Sequence, residues 1–165
     1  MLKDKVQKAL NKQLNEEFYS SYAYLSMSAY FSTQNLDGMA HWLRLQSQEE
    51  YMHAMKIFDY IIQRDGKVNL LKVDPPKTVW KTALDIFQEA YNQERVVTKS
   101  IDEIVELAFT EKDHATYAFM QWFVTEQVEE ESAALKTLDK VKLVGDSKNG
   151  LYLLDKELGQ RTAAT

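Results

Sequence analysis

No cysteine occurs anywhere in the 165 residues, and only two prolines and five glycines do. The first absence rules out a disulfide framework and thiolate metal sites, and it fits a reducing compartment. The scarcity of proline and glycine leaves few places where a helix must stop. No apolar stretch approaches the ~20 residues that would span a bilayer, and Met1-Leu2-Lys3-Asp4-Lys5 opens on charge without a signal-peptide core. No membrane association and a cytoplasmic location are therefore the expectations. Twenty basic side chains against twenty-five acidic ones give a net charge of -5. No basic stripe tracks a phosphate backbone, so nucleic acid is not an expected partner.

What remains is long apolar periodicity. With 45% hydrophobic and 27% charged residues, the chain reads as one globular all-α domain over 1–165. Spacing of three and four predicts helices over Asp4–Ser32, Met39–Arg64, Thr82–Thr110 and Ala115–Val144, with a short fifth over Leu151–Leu158. Gly38, Gly66, Gly145 and Gly150 are placed at the joints. The first and third links are short, which makes antiparallel neighbours of helices 1 and 2 and of helices 3 and 4. The link from Asp65 to about Lys81 carries Pro75-Pro76 and no periodicity. About 16 extended residues reach ~50 Å, and a 26-residue helix is ~39 Å long, so this link can run the length of the bundle. Two antiparallel hairpins joined by one long crossover is an established connection of four-helix bundles.

Helical wheels put acids on the apolar faces. Helix 1 lines up Val6, Leu10, Leu14, Glu17, Ser21, Tyr24, Ser28 and Phe31. Helix 2 lines up Leu43, Gln46, Glu50, His53, Ile57 and Ile61, with Glu50 and His53 one helical turn apart as a Glu-x-x-His pair. Helix 3 offers Glu94 among Phe87, Ala90, Val97, Ile101, Ile104 and Ala108. Helix 4 offers Gln127 and Glu130 among Met120, Phe123, Val124, Ala134, Leu138 and Val141. On the wheel Glu131 lies about as near that face as Glu130, and Glu129 lies well off it.

Each acid alone has an ordinary reading: a boundary residue, or a solvated face for Glu129 to Glu131. Together they sit near the middle of four helices, and antiparallel mid-points meet at one level. An unpaired carboxylate in a core costs several kcal/mol or takes up a proton. A shared multivalent cation neutralises all of them. Oxygen donors with one imidazole suit iron or manganese better than zinc, and the density of carboxylates suggests two ions.

At this point the sequence resembles the non-haem bacterial ferritins over nearly its whole length. The segments that carry the likeness are Asn15-Glu16-Glu17-Phe18-Tyr19-Ser20-Ser21, Gln48-Glu49-Glu50-Tyr51-Met52-His53, Gln93-Glu94, the run Gln121 to Glu131, and Gly150 to Leu158. The resemblance implies a ferritin-like four-helix bundle and an iron-storage protein with ferroxidase activity. It implies that Glu17, Glu50 and His53 hold one iron, that Glu94, Glu130 and the shared Glu50 hold a second, and that Gln127 lies beside them. Glu49, Glu126 and Glu129, with Glu130, correspond to the family's third iron site. It also implies Fe(II) as substrate, dioxygen or hydrogen peroxide as oxidant, and a homo-oligomeric shell of twenty-four chains. Tyr24 is a candidate to hydrogen-bond a ligand or supply an electron. No haem is expected, because the position after the metal-binding Glu50 holds Tyr51, and Met52 is one residue too late. The alternative is a di-iron or di-manganese peroxidase or catalase on the same bundle, and formation of a mineral under excess iron separates the two.

Overall fold

The computed structural model describes residues 2–163. Five helices cover most of them: α1 (Asp4–Thr33), α2 (Asp37–Gln63), α3 (Ala83–Thr110), α4 (His114–Val144) and α5 (Lys148–Leu158). The expected boundaries hold to within a few residues, and the differences have local causes. α2 takes in Gly38 instead of starting after it. Its first turn has no cap from its own chain neighbours; Asp155 of α5 supplies one, accepting from the Met39 N–H at 2.8 Å. α5 begins ahead of Leu151 because Ser147 caps it through the Gly150 N–H at 3.1 Å, so Gly150 also lies inside a helix. Thr82 and Asp85 form a capping box at the start of α3. Asp113 caps α4 through the Thr116 N–H and also binds Arg64 at 3.1 Å, tying the end of α2 to the third link.

Pairings between helices fix their directions. Ser28 of α1 donates to Ala40 O of α2, while Ser21, further back, meets Ser47. The α1 ring of Phe31 packs 5.7 Å from Phe87 of α3, and Gln13 meets Ser100. Between α2 and α4, Gln46 reaches Glu130 and Tyr60 reaches Thr116. In each pair one residue number rises as the other falls, so all these neighbours are antiparallel. The crossover runs along α1 from one end to the other. It is held by Asn11 at Lys67 and Asn69, by Ser26 at Lys77 O, and by Tyr30 at Trp80 O. Trp80 then buries its ring against the bundle while its indole N–H donates to Glu89 at 2.7 Å.

The core is two apolar blocks. One holds Tyr24, Met27, Phe31, Leu43, Phe87 and Leu138; the other holds Leu10, Leu14, Ile57, Val97, Ile101 and Phe123. A polar layer separates them at mid-bundle. Helices 2, 3 and 4 bury the expected faces, apart from Val124, which is half-buried. In α1 the wheel is one position off in places: Ser21 is only half-buried, while Gln13, Ser20 and Met27 are buried. A thirty-residue helix drifts slowly around any fixed stripe, and α1 is covered by α2 on one flank and α3 on another.

Candidate metal centre

Each of the four long helices contributes at least one buried acid to the polar layer: Glu17, Glu50, Glu94 and Glu130. Mid-helix placement puts them there, since antiparallel helices of similar length bring their middles to one depth. Glu17 is fully buried and accepts from Gln13 Nε2 at 2.8 Å. Gln13 is itself oriented by Ser100 of α3, which donates to its carbonyl oxygen at 2.6 Å. Glu94 accepts from the Tyr24 hydroxyl and, at 3.3 Å, from Gln127 Nε2. Glu130 accepts from Gln46 Nε2 at 2.9 Å. Glu50 lies among the others, exposed to the charges of Glu94, Glu17 and Glu130, with its Oε2 3.3 Å from His53 Nδ1.

These partners satisfy only part of the layer. Glu17 Oε2, Glu50 Oε1 and Gln46 Oε1 are buried and have no hydrogen-bond partner. Among the described residues no lysine or arginine forms an ion pair with Glu17, Glu50, Glu94 or Glu130. Burial therefore drives their protonation upward. Glu17 is raised to about 7 and Glu130 to about 8, first by burial and then with help from neighbouring acids, while the Gln13 and Gln46 amides oppose the rise. Glu50 is pushed well above the usual carboxylate range by burial and by the charges of Glu94, Glu17 and Glu130. Glu94 is raised by burial against its bonds from Tyr24 and Gln127. Tyr24 is raised too, by burial and by the same acids, so its phenol stays a donor.

His53 moves the other way. Burial, and to a lesser degree the charge of Lys56, lowers it to about 4, which keeps the imidazole neutral and able to ligate. Its ring rests against Trp122 and Phe123, with centroids 5.4 and 6.1 Å away. His53 Nε2 is 3.9 Å from Glu126 Oε1. Two sets of donor atoms converge closely enough to hold an ion: Glu17, Glu50 and His53, and His53, Glu126 and Glu130. Single substitutions across this layer report on a shared unit and will not add.

The structure thus gathers Glu17, Glu50, His53, Glu94, Gln127, Glu130 and Tyr24 in one layer, with Glu126 at its edge. Glu49 is half-buried and bound to Arg161 at 2.6 Å. Glu129 is exposed and acts on the group through its charge on Glu126. The wheel left Glu130 and Glu131 level; Glu130 is buried and Glu131 half-buried. Three contributors escaped the sequence reading as site residues. Gln13 carried a signal, since it lies four residues before Glu17 on the same helix. Gln46 was seen on the inner face without a role. Arg161 carried none, because it lies in a tail without periodicity.

A profile of the ferritin-like domain matches residues 7–144. The chain is 45% identical to the bacterial non-heme ferritin of Bacteroides fragilis over 161 residues, covering 98% of this chain and all of that one. It is 43% identical to that of Campylobacter jejuni, covering 94% of this chain and 93% of the relative. Among solved structures, an open-pore ferritin from the hyperthermophilic archaeon Archaeoglobus fulgidus superposes with a TM-score of 0.97 at 49% identity, over 98% of this chain and 99% of that one. A humanized archaeal ferritin gives 0.98 at 46% identity over the whole of both chains.

Proposed function

The chain belongs to the ferritin family, and we propose that it is an iron-storage protein that oxidises Fe(II) in its mid-bundle carboxylate layer and keeps the ferric product inside a closed homo-oligomer. The observation that carries this reading is the set of buried, unpartnered oxygens of Glu17, Glu50 and Gln46, in a layer whose four buried acids have no lysine or arginine at ion-pair distance among the described residues. Such a layer is costly empty and favourable around a multivalent cation, and its donors are hard oxygens plus one neutral imidazole. Iron is the substrate here. Each ferrous ion gives up one electron to dioxygen or hydrogen peroxide, and carboxylates favour the harder ferric state.

The protein's own part is to bind, orient and exchange protons. Glu17, Glu50 and His53 form the first ion's donor set, and Glu94, Glu130 and the shared Glu50 form the second. Gln13 and Gln46 hold Glu17 and Glu130 in fixed orientations, and Tyr24 with Gln127 does the same for Glu94. Glu17, Glu50 and Glu130 shed protons as iron enters, because burial raises their hold on protons when the layer is empty. Glu49, Glu126, Glu129 and Glu130 form an outer, weaker site through which ions exchange. Residues 1–165 act as one unit, in the cytoplasm, without haem. No helix among the described residues is long and apolar enough to cross a membrane.

Glu50→Ala is the decisive substitution, since this side chain serves both ions. We expect loss of rapid oxidation, by 10²-fold or so for a shared ligand and its supports, measured by stopped-flow absorbance after anaerobic Fe(II) loading. Initial rates within a few-fold of the unaltered protein would remove the proposed centre. Glu126→Ala and Glu129→Ala should leave the initial rate largely intact and change the oxidant consumed per iron.

A further inference from the structure

After α5 the chain turns back along α2 and presents one fixed positive charge to the outer acids. Arg161 Nη2 donates to Glu49 Oε2 at 2.6 Å and Nη1 donates to Trp42 O at 3.3 Å. The guanidinium carbon stands 4.6 Å from the centre of the Trp42 ring, and the Arg161 carbonyl lies 2.8 Å from His41 Nε2. The tail is held in this place from upstream. A Cβ on Gly38 would overlap the Asp155 carbonyl oxygen, and Gly159 packs on Gly38, so α5 and α2 meet backbone to backbone. The charge of Arg161 also reaches Glu130, where it favours the ionised carboxylate against burial. Neither Glu126 nor Glu129 has a lysine or arginine at ion-pair distance among the described residues.

We propose that Arg161 is a tethered counter-cation of the outer site, competing with an arriving metal ion for Glu49 and so keeping the Glu49, Glu126, Glu129 and Glu130 group weak. This rests on the reading that these acids take up metal. A metal ion that takes Glu49 Oε2 must displace Arg161, and one held by Glu49 through either oxygen sits close to a guanidinium. The stack on Trp42 gives the planar group a resting place when Glu49 turns to the ion. An outer site weakened in this way passes ions between the layer and the surroundings and does not retain them.

The test is calorimetric titration of the purified, iron-free, assembled protein with Zn(II), which binds without redox chemistry. For the unaltered chain we expect tight steps for the buried layer and a weaker step for the outer group. Arg161→Gln should tighten the weak step roughly tenfold, about 1.4 kcal/mol, and leave the tight steps unchanged. Ending the chain after Gln160 should do the same by a second route. Arg161→Lys keeps the charge and should stay within about twofold of the unaltered protein on the scale of surface charge effects. Glu49→Gln should remove the weak step.

A weak step lost in Glu49→Gln but unmoved by both Arg161→Gln and the shortened chain would overturn the competition and leave the outer site standing. A weak step further weakened in Arg161→Gln would overturn it as well, making Arg161 a group that orients Glu49 for metal. No weak step in any variant would bring down the outer site and the proposal together.

Discussion

At the scale of single residues, the polar layer makes the metal-free protein sensitive to pH in a definite direction. Glu17 and Glu130 have folded-state pKa values of about 7 and about 8, above the ordinary carboxylate value near 4.5. A raised folded-state value means that the folded chain holds more protons than the unfolded one. The associated stability is complete below the unfolded value and is lost as pH rises through the folded one. His53, lowered to about 4, works the other way, and its contribution disappears as pH falls through 6.5 towards 4. Above pH 6.5 the unfolded imidazole is giving up its remaining proton, and the protons held by the folded acids set the sign. The thermal midpoint of iron-free protein should therefore fall between pH 6.5 and 8.5, and a bound cation should flatten the trend by replacing the protons. Glu130→Gln keeps an acceptor for Gln46 and removes the charge. It should stabilise the iron-free protein at pH 8.5 by on the order of 2 kcal/mol while weakening metal binding, both measurable by calorimetry. A midpoint that rises over this pH range would contradict the assigned burial of these acids.

At the scale of elements, the links carry the instructive strain. Asn35, Asp65 and Lys112 all have positive φ, near 55°. Asn and Asp tolerate this region; a lysine there meets the Cβ–carbonyl crowding that disfavours it by roughly 1–2 kcal/mol. Lys112→Asn should raise stability by about 0.5 kcal/mol, read as a higher thermal midpoint with unchanged iron oxidation. The junction of α2 with α5 predicts the opposite sign. Gly38 has no room for a Cβ, and the nearest obstacle is backbone, which cannot swing aside. Gly38→Ala should cost about 2 kcal/mol or more by overpacking. Hydrogen exchange should show the loss concentrated in α5 and the tail. Uniformly unchanged protection would mean that the two helices are not docked as described.

At the scale of the whole molecule, apolar side chains remain outside the bundle. Tyr22 and Leu25 on α1, Leu70, Leu71 and Val79 on the crossover, and Tyr152 and Leu153 on α5 are all at least 46% exposed, distributed over more than one face. Surfaces of this kind usually mark contacts, and more than one kind of contact is what closing a shell requires. With a charge of -5 per chain the assembly would be strongly anionic, which attracts Fe(II) and keeps shells apart. Twenty-four copies of a 19.2 kDa chain make about 460 kDa, and light scattering after size exclusion should give a mass of that order. A monomer or dimer at micromolar concentration would remove the storage reading while leaving the metal centre intact.

The sequence by itself determined the helices, their directions and the depth of the acids. Apolar spacing repeats every three or four residues, short links force antiparallel neighbours, and mid-helix acids in such a bundle must share one level. Glu17, Glu50, His53, Glu94, Gln127 and Glu130 were all legible on that basis or by resemblance. Tertiary structure alone decided what depends on partners distant in the chain. The α2 cap comes from Asp155, Gln13 is aimed by Ser100, Trp80 closes the crossover onto the core, and Arg161 reaches Glu49. It also decided between Glu130 and Glu131, which a wheel places symmetrically, because burial depends on how α4 is rotated against α2 and α3. Periodicity records which face of a helix is covered; it carries no information about which neighbour covers it.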